Sequence, residues 1–186
     1  MIEENNSNVI VMLCNEKEDG KEKCSNYWSG KTTIKKYKIK EEKVIKPNNY
    51  FIIRDIKFIN KFTGKEKTVK HINFIAWRDH DVPLDEDGKV FGIFNIIINK
   101  IEEYKKTNPI VVHCSAGVGR TGTFISMYSL YKEIKKQIVD NVKEIQFSIF
   151  NFVRKLKEMR QNSVQSVFQY YFIYEYVNYI LYIYNN

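Results

Sequence analysis

Short apolar runs separated by charged segments fill the first half of the chain, a pattern that is typical of β-strands. The polar residues 15–23 and 61–67 are predicted to form loops between such strands. One run is continuously apolar, which predicts a buried strand, and another alternates in part between apolar and polar positions. The predicted strands cover residues 8–14, 35–40, 50–59 and 68–77.

Apolar residues recur at intervals of three and four in the second half, which predicts amphipathic helices. A short strand is predicted over residues 109–113. Strands therefore come mostly first and helices mostly last, so we expect an α/β (α+β) fold with a central mixed β-sheet flanked by helices. Four helices are predicted: one over residues 90–106, one from about residue 121, one over residues 142–159, and one from near Ser166 to the end. In the second of them, one face carries Phe124, Tyr128, Tyr131, Ile134 and Ile138.

The length and composition are those of a single globular domain. A length of 186 residues fits a single domain spanning residues 1–186, and 44% apolar with 15% aromatic residues excludes an intrinsically disordered chain. Three cysteines give no disulfide framework. Neither a signal peptide nor an apolar run long enough to cross a membrane is evident. We therefore expect a cytoplasmic protein with no membrane span.

The net charge of +8 fits attraction of anionic substrates, although lysine is abundant throughout and would give the same charge without such a role. The lysines form no basic stripe within a recognisable nucleic-acid-binding motif. No nucleic-acid partner is therefore expected.

The segment HCSAGVGRTG, residues 113–122, carries the candidate chemistry. It joins the predicted strand 109–113 to a predicted helix, and Gly117 and Gly119 allow its backbone N–H groups to converge on an anion. The same dipoles favour a thiolate at Cys114, and Arg120 can hold two phosphate oxygens at once. This arrangement predicts phosphoryl transfer to sulfur. A nucleotide-binding loop is the poorer interpretation, because no Gly-Lys-Ser/Thr follows the glycines.

The segment resembles the signature loop of the cysteine-dependent protein tyrosine phosphatases, and most of all their phosphotyrosine-specific receptor and non-receptor branch. The resemblance implies that Cys114 is the nucleophile, that His113 supports the loop and the thiolate, and that Thr121 stabilises the departing thiolate. It implies hydrolysis of phosphotyrosine in proteins through a phosphocysteine intermediate, with no metal or other cofactor. The phosphate would be bound by Ser115, Ala116, Gly117, Val118, Gly119 and Arg120.

Residues 71–83, HINFIAWRDHDVP, resemble the family's acid loop, in which Trp-Pro-Asp is followed by an aromatic residue and glycine. In this register Trp77 anchors the loop and Asp79 is the general acid. Arg78 replaces the proline, His80 the aromatic residue and Asp81 the glycine. The arginine leaves the loop freer than proline would, and its charge would stabilise the Asp79 carboxylate and weaken it as an acid.

Residues 163–174 resemble the family's glutamine loop, so that Gln165 would orient the water that hydrolyses phosphocysteine and Gln169 would be a second polar contact. Residues 10–28 resemble the segment in which a glutamate and a lysine precede a Lys-Cys-x-x-Tyr-Trp box. There Glu18 would pair with Arg120, and Lys23 would reach the acid loop. Cys14 and Cys24 are then core residues, and Arg160 matches a basic position of the family.

The resemblance covers residues 10–174, while the family's domain begins well upstream with helices and a loop whose tyrosine sets the depth of the pocket. We therefore expect an N-terminally shortened domain with reduced selectivity for phosphotyrosine. Two alternatives stay open: a phosphotyrosine-binding pseudophosphatase, and a phosphatase of broader specificity that acts on phosphoinositides or on phosphoserine and phosphothreonine. The sequence does not indicate an oligomeric state.

Overall fold

The computed structural model describes residues 1–30, 34–78, 81–83 and 89–185. They form two compact units. The first comprises residues 1–78 and 92–115, and the second comprises residues 79–91 and 116–186.

The first unit is built on a five-stranded mixed sheet, as the strand pattern predicts. The interior strand β1 is buried at all four positions and runs parallel to both of its neighbours, β6 and β7, while β4, β5 and β6 pair in antiparallel fashion. A short, fully apolar run is what a parallel strand covered on both faces requires. The order is β4-β5-β6-β1-β7, with β1 at Val9–Met12, β4 at Tyr37–Ile45, β5 at Phe51–Asn60, β6 at Glu66–Phe74 and β7 at Ile110–His113.

The polar residues 15–23, predicted to be a loop, contain a small hairpin instead. Strands β2 (Lys17–Glu18) and β3 (Lys21–Glu22) pair in antiparallel fashion around Asp19 and Gly20. Both turn residues have positive φ, 50° and 74°. Asp-Gly is a favoured pair for such a two-residue turn, because its strands then twist correctly.

Helix α1 (Val90–Lys105) agrees with the predicted helix over residues 90–106 and carries part of the first unit's core. Phe94 lies 5.0 Å from Phe74 and 5.6 Å from Trp77, measured between ring centroids. Phe74 and Trp77 also meet edge to face at 6.2 Å. The three rings hold the segment that follows β6, where the acid loop is expected to begin.

The second unit consists mainly of α2 (Gly119–Val139), α3 (Ile149–Met159) and α4 (Val167–Asn185), with α2 packed against the other two. Helix α4 begins close to the predicted Ser166. The prediction that a helix starts at residue 142 is wrong, because Asn141 has a positive φ of 53° and the Ser148 hydroxyl accepts from the Asn151 N–H as an N-cap. The start at Ile149 leaves Val142 45% exposed.

In the part of the chain that the structure describes, no helix combines the length and the apolar character needed to cross a membrane.

Candidate active site

Cys114 follows the last residue of β7 directly and is 6% exposed. The strand is held in place by β1, because His113 pairs with Met12 in the parallel register and its carbonyl accepts from the Leu13 N–H at 2.8 Å. The His113 ring turns back on the next residue, with Nδ1 3.0 Å from the Cys114 carbonyl oxygen. The candidate nucleophile thus sits at the end of a paired strand, which fixes its backbone.

Two side chains that the sequence analysis did not single out, Tyr27 and His71, form a cluster with the His113 ring. The Tyr27 hydroxyl lies 2.7 Å from His113 Nε2 and 3.0 Å from His71 Nε2. Burial lowers the pKa of His113. The pKa of His71 is lowered to about 3, mainly by burial and in addition by the charges of Arg54 and His113. Both rings are therefore neutral near pH 7. The only signal for Tyr27 was its place in the Lys-Cys-x-x-Tyr-Trp box.

The loop after Cys114 turns at Gly117, whose φ is 72°. Arg160 fixes this turn, since its Nη2 donates to the Ala116 carbonyl at 3.2 Å. A Cβ on Gly117 would lie 3.0 Å from the same nitrogen, so the arginine also occupies the space beside the glycine. Two residues on, α2 begins, and Arg120 in its first turn is 1% exposed. A left-handed turn directly before a helix start is a local feature of anion-binding nests, and the predicted nest at residues 115–120 stays a prediction.

The two glutamines predicted from the sequence lie against the start of α2. Gln169 is buried, and its Oε1 accepts from the Gln165 N–H at 2.9 Å. A Cβ on Gly119 would lie 2.8 Å from Gln165 Oε1 and 3.1 Å from Gln169 Nε2. Gln165 is exposed at this place, as a side chain that meets solvent water would be. The structure therefore brings Gln165, Gln169 and Gly119 together.

Gly122 allows a second close approach one turn along α2. A Cβ there would lie 2.7 Å from the backbone nitrogen of Val164. The Val118 carbonyl accepts from the Gly122 N–H at 2.8 Å and, at the longer distance of 3.4 Å, from the Val164 N–H. The glycines at 119 and 122 thus let the segment before α4 lie directly on the helix backbone.

Glu18 and Lys23 belong to the first unit, at and beside its hairpin. Glu18 Oε1 accepts from the Asn15 N–H at 2.9 Å, and the Asn15 side chain donates to the Ile75 carbonyl at 3.1 Å. The Lys23 N–H donates to the Glu16 carbonyl at 2.8 Å. These bonds tie the hairpin region to the chain just ahead of Trp77.

The acid loop is described only in part. Trp77 is buried and Arg78 is exposed. Asp79 and His80 lie outside the described residues. Asp81 is exposed, and its Oδ1 accepts from the Val82 N–H at 2.8 Å.

None of the three cysteines, all of them among the described residues, forms a disulfide. Cys14 is buried, while Cys24 is half-buried and its pKa is lowered by a hydrogen bond with the Cys14 thiol. Among the described residues, no group of three or more His, Cys, Asp or Glu is arranged to hold a metal ion.

Comparison with known proteins identifies similar sequences. The family model described as protein-tyrosine phosphatase matches residues 1–179. The chain is 37% identical over 182 residues to tyrosine-protein phosphatase non-receptor type 20 of Rattus norvegicus, a match that covers 95% of the chain and 40% of that protein. The chain thus spans about two fifths of the length of this curated relative.

Two solved structures are similar in fold. The catalytic domain of human protein tyrosine phosphatase non-receptor type 18 overlays with a TM-score of 0.80 at 25% identity, covering 96% of this chain and 62% of that one. A structure described as PTPN18 in complex with HER2-pY1196 phosphor-peptides overlays with a TM-score of 0.82 at 25% identity, covering 96% and 60%.

Proposed function

The chain belongs to the protein-tyrosine phosphatase family, and from that premise we propose that it hydrolyses phosphotyrosine in proteins through a phosphocysteine intermediate. The observation that carries the proposal is the local structure around the signature loop. Cys114 directly follows a paired strand, Gly117 turns the chain with a positive φ, and a helix with a buried Arg120 starts at Gly119. These are the parts that a phosphate-binding nucleophilic loop requires.

In the first step the Cys114 thiolate attacks phosphorus, and the bond between phosphorus and the tyrosine oxygen breaks. The equatorial phosphate oxygens are held by the Arg120 guanidinium and by backbone N–H groups of residues 115–120, which stabilise the charge of the transition state. The proton of the Asp79 carboxyl passes to the tyrosine oxygen as it leaves. Trp77 anchors the loop that carries this acid, and Lys23 contacts that loop.

In the second step a water molecule attacks phosphorus and the phosphorus–sulfur bond breaks. The Asp79 carboxylate takes the proton of the water, and inorganic phosphate and the thiolate are released. Gln165 orients this water, with Gln169 as a second contact. The neighbourhood of both glutamines and Gly119 at the start of α2 supports these roles. Thr121 stabilises the thiolate as it leaves, and no metal takes part.

The remaining roles complete the proposed site. Glu18 pairs with Arg120 and orients its guanidinium, and His113 supports the loop from the strand side. Both structural units belong to one catalytic domain. The complex of a relative with phosphotyrosine peptides supports phosphotyrosine proteins as substrates. A thiolate nucleophile needs a reducing compartment, which supports a cytoplasmic location. The proposal includes a role in signalling and no nucleic-acid partner.

The test compares three substrates side by side: a phosphotyrosine peptide, a phosphoserine peptide and a phosphoinositide. We expect turnover of the phosphotyrosine peptide at the highest kcat/KM. Cys114→Ser should abolish turnover and retain binding of the phosphotyrosine peptide, because the nest stays while the nucleophile is lost. Binding without turnover by the wild-type protein would indicate a pseudophosphatase, and equal rates on all three substrates would indicate broad specificity.

A further inference from the structure

Four side chains of the first unit form a continuous row that leads to the signature loop, and three of them, Arg54, His71 and Tyr27, have no role in the proposed mechanism. Arg54 Nη1 lies 3.4 Å from His71 Nδ1, and His71 Nε2 lies 3.0 Å from the Tyr27 hydroxyl. That hydroxyl lies 2.7 Å from His113 Nε2, and His113 Nδ1 lies 3.0 Å from the Cys114 carbonyl oxygen. The row therefore ends on the backbone of the candidate nucleophile.

The hydrogens in this row can be arranged in one way only while both rings are neutral. A guanidinium has donors and no acceptor, so His71 Nδ1, which faces Arg54, must carry the lone pair. The proton of the His71 ring is then on Nε2 and is donated to the Tyr27 oxygen. Tyr27 has one hydroxyl proton, which it donates to His113 Nε2. The proton of the His113 ring is then on Nδ1.

The contact at the Cys114 end of the row independently requires the same direction of hydrogen-bond donation. A carbonyl oxygen only accepts, so the 3.0 Å contact between His113 Nδ1 and Cys114 needs a proton on Nδ1. The requirement at Arg54 and the requirement at the Cys114 carbonyl, 60 residues apart in the sequence, thus lead to the same placement of the Tyr27 proton. Burial supports the arrangement, because it lowers the pKa of both histidines and raises that of the Tyr27 hydroxyl.

Packing keeps the rings in these positions. The Trp28 ring stacks on His71 with centroids 5.2 Å apart and an angle of 23°. The guanidinium carbon of Arg54 lies over the Trp28 ring, 5.1 Å from its centroid, and Arg54 Nη1 also approaches Asn73 Oδ1 at 3.4 Å. Arg54 and His71 are cross-strand partners on β5 and β6, so the sheet itself sets their separation.

We propose that Arg54 and His71 are positioning residues for the phosphatase reaction, which act through Tyr27 to hold His113 in the tautomer that donates to the Cys114 carbonyl. The peptide bond is planar and trans, so the carbonyl of Cys114 and the N–H of Ser115 point in opposite directions. Fixing that carbonyl towards His113 directs the Ser115 N–H to the other side, where the phosphate is expected. The inference rests on the proposed function only for its effect on rate.

The first measurement reads the tautomers directly in the whole chain labelled with ¹⁵N-histidine. Long-range ¹H–¹⁵N NMR spectra distinguish a protonated ring nitrogen from one with a lone pair, and the chain has only three histidines. We expect the proton on Nε2 of His71 and on Nδ1 of His113 at pH 7. A wild-type spectrum with the proton on Nε2 of His113, or with His71 protonated on Nδ1, overturns the proposal without any variant.

The second measurement uses variants of Arg54. Arg54→Met removes the donor that keeps the proton off His71 Nδ1, whereas Arg54→Lys keeps a cation with donors only. In Arg54→Met we expect the His113 Nδ1–H signal to weaken and kcat on a small aryl phosphate to fall roughly tenfold, because the loop is no longer oriented. In Arg54→Lys we expect the tautomer and most of the rate to be restored.

Two further variants act as checks. Arg154→Met removes an arginine from the exposed face of α3, where it pairs with Glu158, and we expect neither the tautomer nor kcat to change. Tyr27→Phe breaks the row without touching the charge of Arg54, and we expect the same spectral and kinetic changes as in Arg54→Met. A fall in kcat with an unchanged His113 tautomer would mean a merely structural role and would overturn the proposal.

The two proposals fail separately. A wild-type chain with the expected tautomers that binds vanadate and does not turn over an aryl phosphate would refute the proposed hydrolysis and leave the hydrogen-bond row intact. Normal turnover with the wrong His113 tautomer would refute the role of Arg54 and His71 and leave the phosphatase reaction intact.

Discussion

Replacing Gly119 by alanine should slow the hydrolysis of phosphocysteine while leaving its formation nearly intact. The new methyl group would lie 2.8 Å from Gln165 Oε1, whereas ordinary contacts of a Cβ begin at 3.4 Å. The Gln165 amide must therefore move by at least 0.6 Å. Gln165 is exposed and can turn aside, whereas the buried Gln169, 3.1 Å from the same methyl group, must give by a few tenths of an ångström. We therefore expect the free energy of unfolding to fall by roughly 1 kcal/mol.

The size of the kinetic effect follows from that displacement. A misplacement of about 1 Å in a reacting geometry can cost up to ~100-fold in rate, so we expect a loss of roughly tenfold in the step that uses the oriented water. The attack of Cys114 does not use that water. Phosphocysteine should consequently accumulate in Gly119→Ala during steady-state turnover.

Rapid-mixing kinetics with an activated aryl phosphate test this expectation. Gly119→Ala should release a burst of phenol equal to the enzyme concentration and then turn over slowly, and mass spectrometry after acid quenching should find the phosphate on Cys114. Gln165→Ala should behave in the same way. The double variant Gly119→Ala/Gln165→Ala should be only slightly slower than Gln165→Ala alone, because the shortest contact has lost its partner and only the two 3.1 Å contacts with Gln169 remain.

Two results would refute the reasoning. If Gly119→Ala slows the burst as much as the steady state, the methyl group disturbs the phosphate cradle rather than the glutamine. If the two substitutions are additive, Gly119 and Gln165 act independently, and the close approach has no part in the second step.

Three further predictions concern the acid loop and the buried histidine. Asp79→Asn should lower kcat roughly 100-fold or more on phosphotyrosine and much less on an activated ester; a larger loss in Asp81→Asn would show that the loop is misaligned. Arg78→Pro should raise kcat several-fold and move the alkaline limb of the pH–rate profile, where the general acid loses its proton, to higher pH, since the fixed φ is restored and a cation is removed; a lower kcat/KM would show instead that Arg78 binds substrate. The depressed pKa of His71 means that the unfolded chain takes up a proton first, so the free energy of unfolding should fall as the pH drops from about 6.5 towards 3, by at most about 1.4 kcal/mol per unit, and urea titrations of His71→Asn should show a flatter dependence.

The elements with a strong period were predictable from the sequence. Burial determines which positions of an element are apolar, so it can be read from the sequence. Examples are the continuous apolar run of β1 and the apolar residues at intervals of three and four in α1. The start of α3 was not, because Val142 and Ile145 continue the apolar spacing although the backbone turns at Asn141. The capping Ser148 sets the start of the helix although two apolar residues precede it, and the spacing of apolar residues carries no information about caps.

The signature loop was predictable for a different reason: its glycines, cysteine and arginine are contiguous. The row from Arg54 to His113 was not, since its members are separated by 17 to 86 residues and meet only through pairing. Arg54 faces His71 because β5 and β6 pair in one antiparallel register. A shift of one residue would turn Arg54 to the other face of the sheet, and nothing local in the sequence specifies that register.

Strand β4 bears on how this chain behaves in concentrated solution. It forms one edge of the sheet, and in the region that the structure describes its outer side pairs with no other strand. Five of its nine residues are charged, and a bulge interrupts its register between Glu41 and Lys43. Charges and bulges on an edge strand discourage a second molecule from adding to the sheet. The charged residues of β4 thus help to keep the chain from aggregating, and its three lysines are a part of the positive charge that serves colloidal stability.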